Sequence, residues 1–256
     1  MSAARPVPSP AQRLVSFAAL AAAYAPAQAH HGMDGATPQT LAQGLISGLA
    51  HPVIGLDHLA FLVVAALLAC ALTGASRWLV PLVFVAATVA GTALHLGSAD
   101  IPLSETLVAT TVLVGAVLLA TRSHPGALTL SALFAVGGIL HGYAYGESIV
   151  GAEPTPLVAY LAGFALVQYA LIAGGSLALD AIAERSPRLR QALARIATGA
   201  AFLAGGAFFV FSIASARPLR QFRERAARPS PDPAPRRAPS GRTPGDTLSK
   251  HQEPRR

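Results

Sequence analysis

Two imidazoles and a carboxylate fall within eight residues, His51-Pro-Val-Ile-Gly-Leu-Asp57-His58, and an apolar run from Leu59 to Leu72 follows at once. Ionisable groups are expensive in hydrocarbon, and those found there usually face a bundle interior and mark a substrate or ion pathway. On a regular helix His51 and His58, seven apart, lie almost on one face, whereas Asp57 points elsewhere. Pro52 removes a backbone donor and Gly55 relaxes the local φ/ψ limits. A helix entering here is therefore expected to break, which lets the carboxylate swing toward the imidazoles. Imidazole and carboxylate on irregular backbone suit a divalent transition metal better than calcium or magnesium, which prefer all-oxygen shells. The competing reading is a cap, in which Asp57 accepts backbone N–H groups at a helix start and the histidines sit at the interface.

A second cluster, His141-Gly-Tyr-Ala-Tyr-Gly-Glu147, repeats the logic, because Gly142 and Gly146 again let the backbone leave the helix between two metal-type ligands. Glu105, near the start of an apolar run, and His95, near the end of another, are single occurrences that join the metal-handling candidates. A carboxylate at a helix start also complements the macrodipole, which is the plainer account of Glu105. Asp100, Glu153 and His124 fall in predicted loops and are expected to be solvated. Cys70 is the only cysteine, so an intramolecular disulfide and a Cys-rich zinc site are excluded.

The elements that must carry these groups are membrane helices. The chain is 53% hydrophobic and only 12% charged, where a soluble domain carries about 25% charged residues. Its apolar runs predict an all-α, polytopic helix bundle of about six spans, each near the roughly 20 residues needed to cross hydrocarbon. The first span runs to Leu72, entered through a helix broken around the first cluster. The others cover Leu79 to Leu96, Leu103 to Ala120, Ala127 to Tyr143, Leu157 to Leu179 and Ile196 to Ala216. Gly137-Gly138, Gly174-Gly175 and Gly205-Gly206 fall within spans and permit close helix approach.

Residues 1–29 read as a cleavable signal peptide, with Arg5 and Arg13 before an apolar segment and Ala27-Gln28-Ala29 as the cleavage site. The alternative is an uncleaved first anchor helix. Cleavage would leave His30 and His31 at the mature N-terminus as a metal-capturing tip. Residues 30–216 form the transmembrane domain. Residues 217–256, rich in Arg, Pro and Ser, are expected to be a disordered basic tail. Most Lys and Arg lie after residue 184, so the net charge of +7 belongs to the end of the chain. The lipid bilayer is the expected macromolecular surround, and no nucleic-acid partner is expected. Six spans after a cleaved signal place the arginines of the 77, 122 and 185–195 regions inside, as the positive-inside rule wants, but return the arginine-rich tail to the outside. Either the tail is tolerated there or one span is miscounted, the fourth being the first suspect.

The chain resembles the HupE/UreJ family of membrane proteins that accompany hydrogenase or urease systems and are regarded as nickel or cobalt permeases. His51 to His58 matches its H-P-x-x-G-x-D-H signature, His141 to Glu147 resembles its H-G-x-A-x-G-x-E motif with the acid one position earlier, and Pro102-Leu-Ser-Glu105 its P-x-x-E element. The resemblance covers roughly residues 25 to 216. It implies metal handling by His51, Asp57, His58, Glu105, His141 and Glu147. Tyr145 stands where members often have histidine, and the run after His58 lacks an expected methionine. The function implied is a non-enzymatic, multi-pass permease of the bacterial inner membrane. Nickel is the first expected cargo and cobalt the second, carried as substrate with no resident cofactor, for hydrogenase or urease maturation proteins. A non-transporting metal-binding sensor or accessory protein uses the same residues. A b-haem electron carrier would need facing histidines such as His95 and His141, and leaves Asp57 and Glu147 unexplained. No H-E-x-x-H, G-x-S-x-G or G-x-x-x-x-G-K-[ST] pattern occurs.

Overall fold

A computed structural model describes residues 37–226, with side chains as far as Ser215. The expected signal peptide over residues 1–29, His30 and His31, and residues 227–256 lie outside the described residues. The described backbone is helical throughout, joined by short turns. It comprises α1 (Leu41–Ile54), α2 (Leu56–Ala69), α3 (Ser76–Leu96), α4 (Ser104–Ala120), α5 (Ala127–Gly146), α6 (Pro154–Tyr169), α7 (Gly175–Arg185) and α8 (Pro187–Ala226). A 3₁₀ turn, Glu147–Ile149, extends α5, and a π-helical turn, Ala170–Gly174, joins α6 to α7. The chain falls into two compact units, the first ending at Pro218 and the second beginning at Leu219. Helical backbone reaches Ala226, so the segment after Arg217, expected to be disordered, begins as helix.

Four helical runs are long and apolar enough to cross a membrane: α3, α5 through Ile149, α6 through α7, and α8 as far as Ser215. The α1 and α2 pair, bent by 75° at Gly55, passes the same test as one unit. At 17 residues, α4 is shorter. Its crossing follows from packing instead. A Cβ on Gly138 would meet Phe84 and Thr88, on Gly142 it would meet Thr88, and on Gly146 it would meet His95. Residue numbers rise together along both helices, so α3 and α5 run parallel. The helix that links the end of α3 to the start of α5 must therefore return across the same thickness. The suspected fourth span is thus retained, and six crossings bring Ser215 to the side where α1 begins.

A second parallel pair joins α1 to α6. A Cβ on Gly44 would lie 2.2 Å from the Pro156 carbonyl oxygen, and one on Gly48 2.2 Å from that of Tyr160. Backbones touch here with nothing between them. Lipid tails give no hydrophobic drive to helix association, so such close approaches and interior hydrogen bonds hold the bundle. Of the predicted glycine pairs, only part serves this purpose: Gly138 does, while Gly174 and Gly206 have nothing within 4 Å.

Apolar side chains are distributed as lipid requires. Leu128, Val158 and Leu166 point outward, while Phe61, Leu62, Phe84, Val112, Leu130, Phe134 and Ile172 fill the interior. Polar residues are equally buried: Thr88, Thr92, His141, Gln168 and Ser176 expose no surface. Thr92 donates to the Gly142 carbonyl at 2.8 Å, and Thr88 bridges to Gln168 Oε1 at 3.0 Å.

The glycine packing gives a signed prediction. A methyl at Gly142 would sit 2.0 Å from the Thr88 carbonyl oxygen, which is backbone and has no rotamer to change. Gly142→Ala should therefore destabilise the purified protein by about 1–3 kcal/mol. Gly199→Ala, with nothing within 4 Å, should stay within about 0.5 kcal/mol of the parent. Unfolding in mild detergent with a graded denaturant measures both.

Candidate metal centre

The centre begins with the helix that ends in it. Thr40 caps α1 through its hydroxyl to the Gln43 N–H at 3.2 Å, and the Gln43 side chain returns to the Thr40 N–H at 3.2 Å. From that start α1 runs through His51 and Pro52 to Ile54. Pro52 cannot donate to the Gly48 carbonyl, so the last turn is already weakened. The helix then stops at a single residue. Gly55 is extended, with φ −69° and ψ 103°, and α2 starts immediately with Asp57 in its first turn. These dihedrals are open to any residue, so Gly55 is not needed for its φ freedom. It is needed for room: a Cβ there would lie 2.7 Å from His58 Cδ2 and 3.3 Å from Asp57 Oδ1.

Asp57 is buried and accepts the His58 N–H at 2.8 Å. The cap reading and the site reading therefore both describe this carboxylate. It satisfies an orphan donor at the start of α2, and it also sets a negative charge beside the imidazoles.

His58 Nδ1 lies 2.8 Å from His141 Nδ1 across the bundle, and both rings are buried. The direction of that bond follows from its neighbours. Thr111, on α4, donates its hydroxyl hydrogen to the Val108 carbonyl at 2.7 Å, and its oxygen stands 3.0 Å from His141 Nε2. With the hydroxyl hydrogen so placed the oxygen accepts from His141, which assigns the proton of a neutral ring to Nε2 and its lone pair to Nδ1. His58 is then assigned as the donor from Nδ1. One chain of hydrogen bonds thus crosses three helices and links the two tautomer assignments.

Around this pair stand aromatic walls. His51 is buried, its ring 5.9 Å from that of His58 between centroids. Tyr145, fully buried, lies 5.0 Å from His51 and 4.4 Å from His58. Phe61 covers His141 at 4.4 Å. Among the described residues, no three His, Cys, Asp or Glu side chains converge closely enough to hold a metal ion as they stand. An ion entering between His58 and His141 would take the place of their shared proton, and ring rotation would be needed to aim two lone pairs at it.

Of the residues singled out in the sequence, His51, Asp57, His58 and His141 meet at this centre. His95 does not. Its ring packs on Tyr143 at 4.6 Å, and a Cβ on Gly146 would touch it. Glu105 and Glu147 are exposed at the ends of their helices. Each lies six residues from the level of the pair, Thr111 on α4 or His141 on α5, or about 9 Å along the axis. Sequence reasoning missed Thr111, and it noted Tyr145 only as standing where family members often have histidine. A half-buried threonine that also bonds its own helix leaves no pattern in the sequence, whereas Tyr145 lies within the His141 to Glu147 motif.

A family model, that of the HupE / UreJ protein, matches residues 18–208. The chain belongs to the HupE/UreJ family. It is also similar to the protein HupE of Rhizobium leguminosarum bv. viciae, with 31% identity over 186 residues, 72% of this chain and 90% of that protein. No solved structure matches. Membership carries the general role of a membrane protein accessory to hydrogenase or urease, in a family that is not one of enzymes. The match ends at residue 208, within α8.

The tautomer assignment is directly measurable. Nitrogen-15 histidine spectra of the apo protein should show His141 protonated on Nε2 alone. Thr111→Ser should preserve that single form, whereas Thr111→Val should produce a tautomer mixture. A single unchanged form in Thr111→Val would show that threonine does not set it.

Proposed function

We propose that this family member is a permease for a divalent transition-metal ion, nickel first and cobalt second, supplying metalloenzyme maturation such as that of hydrogenase or urease. The observation that supports it best is the buried His58–His141 pair, held at a helix break beside Asp57 and His51. Four groups suited to a first-row metal gather there, and a haem site would not use the carboxylate. Thiolate is absent from them, so the ion can be released as well as bound.

The ends of the bundle differ in charge. Between residues 37 and 216 every cationic side chain, Arg77, Arg122, Arg185, Arg188, Arg190 and Arg195, lies toward the end where α2 finishes and α3 begins. The opposite end carries Asp100, Glu105, Glu147 and Glu153. By the positive-inside rule the arginine end is cytoplasmic, which fits a multi-pass protein of the inner membrane. Cations would then be concentrated at the outer, acidic end and descend to the imidazoles. A divalent ion moving inward gains about 4.6 kcal/mol per 100 mV of membrane potential, twice the single-charge figure, so no nucleotide site is required.

Radiolabelled nickel uptake into cells lacking their own importer tests this. Cells with the chain should accumulate nickel, and Asp57→Asn, His58→Ala and His141→Ala should return them to the empty-vector level at matched membrane expression. Competition by cobalt and zinc ranks the cargoes. A well-expressed parent chain that moves no nickel would sink the nickel reading. Metal bound to the purified protein without uptake would favour a non-transporting accessory role.

A further inference from the structure

At the arginine end, away from the histidine centre, a cavity of about 1030 Å³ opens between α2, α4, α7 and α8. Its apolar walls include Leu67, Leu68, Leu118, Leu119 and Ala194, and its polar lining includes Arg122, Arg188, Arg190 and Arg195 with His124. No carboxylate lines it. Among the described residues none of these four arginines forms an ion pair, whereas Arg77, at the start of α3, pairs with Asp180 at 2.5 Å. The Arg190 Nε is buried with no hydrogen-bond partner.

The placement is electrostatically costly as it stands. Arg188 and Arg190 occupy the first turn of α8, where the helix already presents its positive end and where no acidic residue stands. Cations there oppose the macrodipole. The way α8 packs matches the cavity's shape. Toward the acidic end α8 is joined to α4 by the Thr106–Ser212 hydrogen bond at 2.8 Å and by Gly205 against Leu113. Toward the arginine end the two helices flank the cavity. The space combines an anion's counter-charges with a hydrocarbon-lined interior, at the level where lipid headgroups meet water.

We propose that this cavity binds an anionic phospholipid, its phosphate between Arg122, Arg188, Arg190 and Arg195 and an acyl chain against the leucines of α2 and α4. Basic pockets between helices on the cytoplasmic side are suited to such headgroups. The lipid supplies the charge that the start of α8 lacks, and it completes the packing of α8 against the bundle.

The test uses the full-length chain in mild detergent, with dioleoyl-phosphatidylglycerol or dioleoyl-phosphatidylcholine added and adducts resolved by native mass spectrometry. Phosphatidylglycerol should bind saturably and in preference to phosphatidylcholine. An arginine near an anionic headgroup contributes about five-fold in affinity, so R188Q/R190Q together should weaken binding by about thirty-fold. R185Q, exposed and outside the cavity lining, should leave it nearly unchanged. Equal binding of the two lipids, equal loss in R185Q, or displacement of phosphatidylglycerol by millimolar inorganic phosphate would overturn the proposal, the last by showing a free-anion site.

Cys70, on the cavity wall, gives a readout without any variant. Its alkylation should be slower in vesicles of equal parts phosphatidylglycerol and phosphatidylcholine than in phosphatidylcholine alone. Equal rates would count against the lipid.

Discussion

The structure depends on one hydrogen bond, between two imidazoles buried in hydrocarbon. A polar group taken out of water without a partner costs several kcal/mol, so each ring has to be met by something on another helix. His58 meets His141 at 2.8 Å, and His141 meets Thr111 at 3.0 Å. Those bonds tie α2, α5 and α4 together at one level. They require the helices that carry them to come close. Glycine provides that approach where Gly137 of α5 faces Phe61 and Gly115 of α4 faces Val64, both on α2, while Gly138 and Gly142 lay α5 against α3 and Gly44 and Gly48 lay α1 against α6. Satisfying the polar centre and packing the bundle thus both rest on glycine, at different positions.

The clusters were legible because hydrocarbon makes them conspicuous. His51, Asp57, His58 and His141 could be picked out by cost, since such groups in a membrane segment usually face the bundle interior, although the same cost also picks out His95, which packs on Tyr143 instead. The break was legible too, from Pro52 and Gly55, but its cause was only half right. Gly55 has ordinary dihedrals and is small because His58 fills the space beside it. The order of the apolar helices could also be read from their length, a measure that α4, at 17 residues, does not meet.

Other features had no such signal. That α3 and α5 run parallel and touching depends on which glycines face each other, and Gly91, Gly138 and Gly142 look no different in the sequence from Gly174, which touches nothing. The π-helical turn at Ala170–Gly174 interrupts a run of residues that would all suit an α-helix. Thr111 resembles Thr110 beside it, and only the fold decides which of the two reaches a histidine. Glu105 and Glu147 stood out for the same reason as the histidines. A carboxylate at the end turn of a span, first for Glu105 and last for Glu147, however, reaches water, and its position in the sequence does not say which way it turns.

The break also explains why the carboxylate belongs at Asp57 rather than elsewhere in the motif. Two half-helices meet at Gly55, so the negative end of α1 and the positive end of α2 face the same space. A cation entering would be drawn by the first and repelled by the second. Asp57 lies in the first turn of α2 and takes up the His58 N–H at 2.8 Å, which cancels the repulsive end at its source. What remains is the carbonyl end of α1 together with the imidazoles, an environment biased toward positive charge even before any side chain binds an ion. The same carboxylate holds the backbone from which His58 projects toward His141. Replacing it with a neutral amide would restore the unfavourable helix end while leaving the rings in place, so its charge and its shape make separable contributions.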